Sequence, residues 1–292
     1  MTVTLNLPPL KPAMFRWHPS PADSHTTQRL AIGTEQWVGI KHENAKGQYD
    51  NYLNTTLLLD VSGLSLGRLS SQLAAALVHL RFKHPEVAST AVWEEGKPTP
   101  PLIQYKPPAD GAAALRWARS CISVRTSPLN GLAVRAELEK ERRAAAPESG
   151  RSVSVFIIAD VAGEETPLAP GTKVDVLCRF NHIYWDAMSS RQFVGDLLRR
   201  VGEAWDQGSD PAVPKYRWGD EVANLSEPIL DALKVDAEAL GDDFNKVREE
   251  FITSLINSGV SLASSSCDSL LFCIIPDDRC HSPAGALPSR IR

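Results

Sequence analysis

The stretch "KVDVLCRFNHIYWDAMSSRQFVGDLLRRV", residues 173–201, decides the fold because its hydrophobic period changes once along its length. Residues 173–181 alternate between apolar and polar side chains, which indicates a half-buried β-strand. The apolar side of that strand carries Val174, Val176, Cys178 and Phe180. After Asp186 the apolar residues recur every three or four positions, which indicates an amphipathic helix. The stretch therefore predicts a strand, a short turn and a helix in direct succession.

The turn of this stretch contains a histidine, His182, and an aspartate, Asp186, four residues apart. A strand end would hold the imidazole rigidly and the following turn would leave it accessible, as a general base requires. In that interpretation Asp186 braces the turn. In the alternative interpretation His182 is an ordinary packed residue, and Asp186 or Ser189 only caps the helix. The spacing H-x-x-x-D is common by chance and does not by itself decide between the two.

A second apolar segment, "SVSVFIIAD" (152–160), is rich in β-branched residues and predicts another strand. We expect it to lie beside 173–181 in one sheet, with helices 66–83 and 188–206 packed on that sheet. Further strands are predicted at 53–63, 87–93 and 101–108. Further helices are predicted at 113–122, 131–145, 226–241 and 244–256. The mixture of strands and amphipathic helices predicts the α/β class, as an α+β sandwich.

The chain divides by composition into three segments. Residues 1–30 are proline-rich and polar, and they predict an extended N-terminal arm. Residues 31–258 contain the predicted strands and helices and form the α/β subdomain. In residues 259–292 the periodicity disappears, so we expect an irregular tail.

The composition argues against several classes of function. The 292 residues are 43% hydrophobic and carry a net charge of −4, so there is no basic excess that would favour nucleic acid. No apolar run approaches the length of a membrane span, and the N-terminus lacks the basic-then-apolar order of a secretory signal. We therefore expect a cytoplasmic protein without a nucleic-acid or membrane partner.

The five cysteines do not form a disulfide framework in a chain of this size. Cys121 and Cys178 fall inside predicted ordered segments and are expected to pack as small apolar residues. The other three lie in the C-terminal tail near a histidine, at spacings that match no standard zinc site: Cys267, Cys273 and Cys280. No metal site is therefore predicted.

The segment "FNHIYWDAMSS" (180–190) resembles the H-x-x-x-D-G motif of the chloramphenicol acetyltransferase-like superfamily, which includes condensation domains and alcohol acyltransferases. Ala187 stands where the motif has glycine, and Asn181 stands where condensation domains have a first histidine. The upstream segments 34–59 and 66–87 are also similar to this superfamily. Among its members the chain is most similar to the fungal trichothecene O-acetyltransferases, over about residues 13–258.

This resemblance implies a fold of two similar halves, of which the chain carries the N-terminal one. It also implies that His182 is the general base of an acyl transfer from acetyl-CoA, or another acyl-CoA, to a small-molecule alcohol. No bound cofactor is implied. Asp186 would support the site by pairing with an arginine. The usual place of that arginine is occupied here by Ala88, which leaves Arg81 and Arg16 as candidates.

Two other functions stay open at this point. One is a non-catalytic binding protein that retains half of the fold, because the resemblance implies that the opposite wall of the active site belongs to the other half. The other is a condensation-type enzyme, although the absence of a first histidine favours the acyl-CoA enzyme. The short chain is expected to be a truncated product that is a poor enzyme or none, with an exposed apolar face that favours self-association. Three residues could form part of that face: Phe244, Phe251 and Leu255.

Overall fold

The computed structural model describes residues 12–32, 35, 50–59, 63–92, 101–144, 151–206, 215–234, 246–247 and 249–250. Within these residues the chain forms a larger and a smaller four-stranded sheet, with helices on the larger one. The predicted mixed α/β class is confirmed.

The larger sheet has the strand order β3-β8-β7-β6. These strands are β3 (Asp50–Leu58), β6 (Ile122–Thr126), β7 (Val153–Ala159) and β8 (Lys173–Asn181). The central strand β8 runs antiparallel to both β3 and β7, whereas β6 runs parallel to β7. The predicted adjacency of β7 and β8 is confirmed. Strand β6 was not predicted, because its first residue, Ile122, reads as the end of the preceding helix.

The smaller sheet is wholly antiparallel, with the order β1-β2-β5-β4. Its strands are β1 (His18–Pro19), β2 (Thr27–Leu30), β4 (Thr90–Val92) and β5 (Leu102–Tyr105). Part of the expected N-terminal arm thus joins a sheet, and Phe15 is only 1% exposed. Strand β4 begins later than predicted, because Pro85 opens a 3₁₀ helix, Pro85–Ala88, ahead of it.

In the part of the chain that the structure describes, five α-helices connect or flank these strands. They are α1 (Leu66–Lys83), α2 (Gly111–Ser120), α3 (Gly131–Ala144), α4 (Ala187–Asp206) and α5 (Ile229–Ala232). The predicted helix 226–241 is described only as far as α5. Most of the predicted helix 244–256, the apolar face around Phe251, and the tail 259–292 lie outside the described residues. None of the described helices is long and apolar enough to span a bilayer.

Helices α1 and α4 pack on one face of the larger sheet, as predicted. The core between them includes Leu69, Leu73, Leu77, Val155, Ile157, Val176, Phe180 and Leu197. Helix α3 covers the other face, where Val134 and Leu138 pack against Phe156, Ile158 and Leu177. Every residue of β7 is buried, because helices cover both of its sides. Strand β8 is therefore held firmly up to the residue that precedes His182.

We expect Leu73→Ala to lower the free energy of unfolding by about 2–5 kcal/mol, because the fully buried side chain leaves a cavity in this core. Leu132→Ala is the matched control: Leu132 is 64% exposed on α3, and its loss should change stability by about 0.5 kcal/mol or less. Urea denaturation of both variants measures the difference. Equal losses would contradict the described packing of α1.

Candidate active site

His182 follows directly on the last residue of β8, in a turn that Asn181 shapes. The main-chain carbonyl of Asn181 accepts a hydrogen bond from the backbone N–H of Tyr184 at 3.0 Å. Its side-chain oxygen accepts a second from the backbone N–H of Ile183 at 3.1 Å. Asn181 is itself buried, and Ile183 is 1% exposed. The turn is therefore held by two hydrogen bonds and presents His182 at the end of the central strand β8.

The imidazole of His182 is oriented by a backbone carbonyl. Its Nδ1 atom lies 2.6 Å from the carbonyl oxygen of Trp185. A carbonyl oxygen can only accept, so Nδ1 carries the proton and donates it. In the neutral ring the lone pair is then on Nε2, the nitrogen that a general base uses. His182 is half-buried, and Nε2 has no hydrogen-bond partner among the described residues.

Trp185 is anchored at several points, which fixes the position of its carbonyl. Its indole N–H donates to the hydroxyl of Ser152 at 2.7 Å. Its ring centroid lies 5.1 Å from that of Phe180 and 5.0 Å from that of Phe193, so the indole packs between β8 and α4. The side-chain amide of Asn51 donates to the same carbonyl at 3.3 Å. The orientation of His182 therefore depends on the packing of Trp185 between β8 and α4.

Asp186 caps helix α4. Its carboxylate accepts the backbone N–H of Ser189 at 2.7 Å and the Ser189 hydroxyl at 2.8 Å. These hydrogen bonds, the backbone one first, lower the pKa of Asp186 below its usual value. Asp186 therefore occupies the N-cap position of α4.

The arginine partner expected for Asp186 is not found among the described residues. Arg16 instead pairs with Asp231 at 2.7 Å. Arg81 is buried, donates to the carbonyl of Lys106 at 3.0 Å, and lies over the ring of Trp117. The expectation that Asp186 points into an ion pair with either of these arginines was wrong, because the carboxylate turns towards the free N–H groups of the helix start.

A cavity of about 280 Å³ lies beside the same turn, between α4, the 3₁₀ helix Pro85–Ala88 and the smaller sheet. Its walls include Tyr184, Trp185, Ser189 and Phe193. His182 is not one of its lining residues. The cavity nevertheless adjoins the turn that holds His182, because Tyr184 and Trp185 belong to that turn and also line the cavity.

The chain matches one known protein family over most of its length. The sequence model of the family described as 15-O-acetyltransferase Tri3 matches residues 7–266. This chain belongs to the Tri3 acetyltransferase family. The expected similarity to the fungal trichothecene O-acetyltransferases, over about residues 13–258, is thereby confirmed.

Individual members of the Tri3 family agree with this assignment. The chain is 38% identical over 256 residues to the trichothecene O-acetyltransferase TRI3 of Trichoderma arundinaceum, which is 85% of this chain and 49% of that protein. It is also 38% identical over 260 residues to SAT12 of Stachybotrys chartarum, which is 88% of this chain and 45% of that protein. The chain therefore spans about half the length of the curated relatives that it matches.

A solved Tri3 structure shows the same fold. The trichothecene 15-O-acetyltransferase TRI3 of Fusarium sporotrichioides is 34% identical and superimposes with a TM-score of 0.74. The superposition covers 86% of this chain and 50% of that one. The two sheets and their helices are therefore a Tri3 arrangement.

Among the described residues, the other reactive side chains do not come together in a second candidate site. No group of three or more His, Cys, Asp or Glu side chains among the described residues could hold a metal ion. Cysteines 267, 273 and 280 lie outside these residues. Burial raises the pKa of the Cys121 thiol to about 11 and that of Cys178 to about 12, so neither is a ready nucleophile. His182 remains the candidate reactive group.

We expect Asp186→Ala to lower the free energy of unfolding by about 0.5–2 kcal/mol at neutral pH, the usual value of an N-cap. Asp186→Asn should retain most of that stability, because an amide oxygen also caps. Folding lowers the pKa of Asp186, so the charged carboxylate stabilises the fold at pH values above its ordinary pKa of 3.8. This contribution is lost as the pH falls through the lower pKa that Asp186 has in the folded protein.

Urea denaturation of the three proteins between pH 7 and pH 3 tests the assignment of Asp186 as a cap. The acid-dependent part should be smaller in the Asn variant than in the parent. If Asn destabilises as strongly as Ala, the carboxylate makes a charge-specific interaction other than the cap.

Proposed function

We propose that this chain carries the general base of an O-acetyltransferase that transfers the acetyl group of acetyl-CoA to a small-molecule alcohol. The observation that supports the proposal most directly is the bond from Nδ1 of His182 to the carbonyl of Trp185. It leaves the lone pair of the neutral imidazole on Nε2, where an alcohol can be deprotonated. Membership of the Tri3 family supports the class of reaction.

In the proposed reaction Nε2 of His182 accepts the proton of the alcohol as its oxygen attacks the carbonyl carbon of the thioester. The tetrahedral intermediate collapses by breaking the carbon–sulfur bond. The departing thiolate then takes the proton from Nε2, so the products are an ester and free CoA, and His182 is neutral again. The Trp185 carbonyl stabilises the transient imidazolium through the hydrogen bond to Nδ1.

The relatives suggest which alcohol is acetylated. The relative from Trichoderma arundinaceum is described as a trichothecene O-acetyltransferase, and the structure from Fusarium sporotrichioides is described as a trichothecene 15-O-acetyltransferase. We therefore propose a trichothecene hydroxyl as the acceptor. Asp186 supports the reaction indirectly, because its cap fixes the start of α4 next to the turn that holds His182.

We expect His182→Ala to reduce turnover about 10²- to 10⁴-fold, the usual contribution of a general base. His182→Gln should be as inactive, because an amide can still donate to the Trp185 carbonyl but cannot accept the proton. The measurement is CoA release from acetyl-CoA with a trichothecene alcohol, using the 292-residue protein. His25→Ala is the matched control and should leave turnover unchanged, because His25 is an exposed loop residue.

Absence of turnover by the parent protein would contradict the proposal for this chain. If the parent then still bound acetyl-CoA, the non-catalytic binding protein would be the better description. Retention of turnover by both His182 variants would show that another group is the base.

A further inference from the structure

Ser152 contacts both ends of the turn that holds His182. Its main-chain carbonyl accepts the backbone N–H of Asn181 at 3.0 Å, one residue before the histidine. Its hydroxyl accepts the indole N–H of Trp185 at 2.7 Å, three residues after the histidine. One residue from a neighbouring strand thus bridges the two positions between which the imidazole is held.

The core fixes the position of Ser152. It directly precedes Val153, the first residue of β7, and Val153 lies opposite Phe180 in the pairing of β7 with β8. Ser152 is 3% exposed and Val153 is 1% exposed. The ring of Phe180 in turn packs against the indole of Trp185. The serine hydroxyl is therefore presented to the indole from a point that the sheet holds in place.

The bond between Ser152 and Trp185 reaches the imidazole through the Trp185 carbonyl. An indole N–H can only donate, and a buried donor that loses its acceptor is costly, so without the hydroxyl the indole must shift to find another partner. The carbonyl of the same residue shifts with it, and Nδ1 of His182 lies 2.6 Å from that carbonyl. The amide of Asn51 also donates to the carbonyl, but at 3.3 Å, and it does not hold the indole.

Ser154, two residues further along β7, provides the comparison for a purely structural serine. It is also buried, at 7% exposed, and its hydroxyl also accepts from one nitrogen, that of Arg179 at 3.0 Å. Because side chains alternate along a strand, Ser154 shares the face of Phe156, which α3 covers. Trp185 packs on the opposite face, with α4. Loss of either hydroxyl removes one buried hydrogen bond, but only that of Ser152 leads to the imidazole.

We propose that Ser152 is a positioning residue of the reaction, an inference that rests on the proposed function of His182. It holds Trp185 so that the Trp185 carbonyl keeps the proton on Nδ1 of His182 and leaves Nε2 directed at the alcohol. Ser152 is too deeply buried to contact a substrate itself. It lies 30 residues before His182 in an apolar run, where no sequence motif marks it.

The kinetic test compares Ser152→Ala with Ser154→Ala in the 292-residue protein, by CoA release from acetyl-CoA with a trichothecene alcohol. We expect Ser152→Ala to lower kcat about 10- to 100-fold, because a displacement of about 1 Å at a reacting group has this effect. Its KM values should stay close to those of the parent, since no substrate contact is lost. Ser154→Ala should keep both parameters, and Ser152→Thr, which retains the hydroxyl, should recover much of the turnover.

A double-mutant cycle tests whether the effect passes through the indole. Trp185→Phe keeps an aromatic ring between β8 and α4 but removes the N–H that Ser152 accepts. If both residues act through this one bond, Ser152→Ala/Trp185→Phe should lose about as much turnover as Trp185→Phe alone. Losses that multiply would show that Ser152 acts by another route and would overturn the proposal. Trp185→Phe also serves as the second variant if Ser152→Ala fails to fold.

The ¹⁵N signals of the His182 ring give a readout that needs no turnover. In Ser152→Ala we expect the proton to be shared between Nδ1 and Nε2, whereas Ser154→Ala should show the pattern of the parent. If the parent has no turnover but the two variants differ in this way, the positioning role is supported and the proposed function of the chain is not. Equal effects of the two serine variants on kcat and on the ring signals would overturn the positioning role.

Discussion

The proposed role of His182 depends on the hydrogen bond from its Nδ1 atom to the carbonyl of Trp185. It fixes both the direction of the imidazole and the nitrogen that carries the proton. The carbonyl is useful for this purpose only because Trp185 cannot move freely: its indole packs between Phe180 and Phe193 and donates to Ser152. The orientation of the imidazole is thus a consequence of side-chain packing in the core.

The same turn is held at its two ends by different means. At the strand end, Asn181 closes the turn with its main-chain and side-chain oxygens. At the helix end, Asp186 caps the first N–H groups of α4. Burial of β7 on both sides and the pairing of β8 with two neighbours make the strand a rigid base. The proposed role of His182 as a base requires pre-organisation of this kind.

Strongly periodic segments were predictable from the sequence, and features set by distant contacts were not. The change of period at residues 173–201 placed β8, the turn and α4 correctly, since it reflects burial of one face. Strand β2 was not predicted, because it pairs with a strand that lies far along the chain: Gln28 is opposite Gln104. The family likeness is the source of the proposed role of His182, but it suggested an arginine partner for Asp186, whose carboxylate instead caps α4. The tautomer of His182 depends on a backbone carbonyl, and no side-chain pattern encodes it.

The most direct test of this account is the protonation pattern of the His182 ring, observed by ¹⁵N nuclear magnetic resonance of the histidine-labelled protein at pH 8, with His182→Gln to assign the signals. We predict that Nδ1 shows the shift of a protonated nitrogen and that Nε2 shows that of an unprotonated one, because the Trp185 carbonyl can only accept. The opposite pattern, with the proton on Nε2, would leave no lone pair for an alcohol proton at the proposed position and would contradict the account.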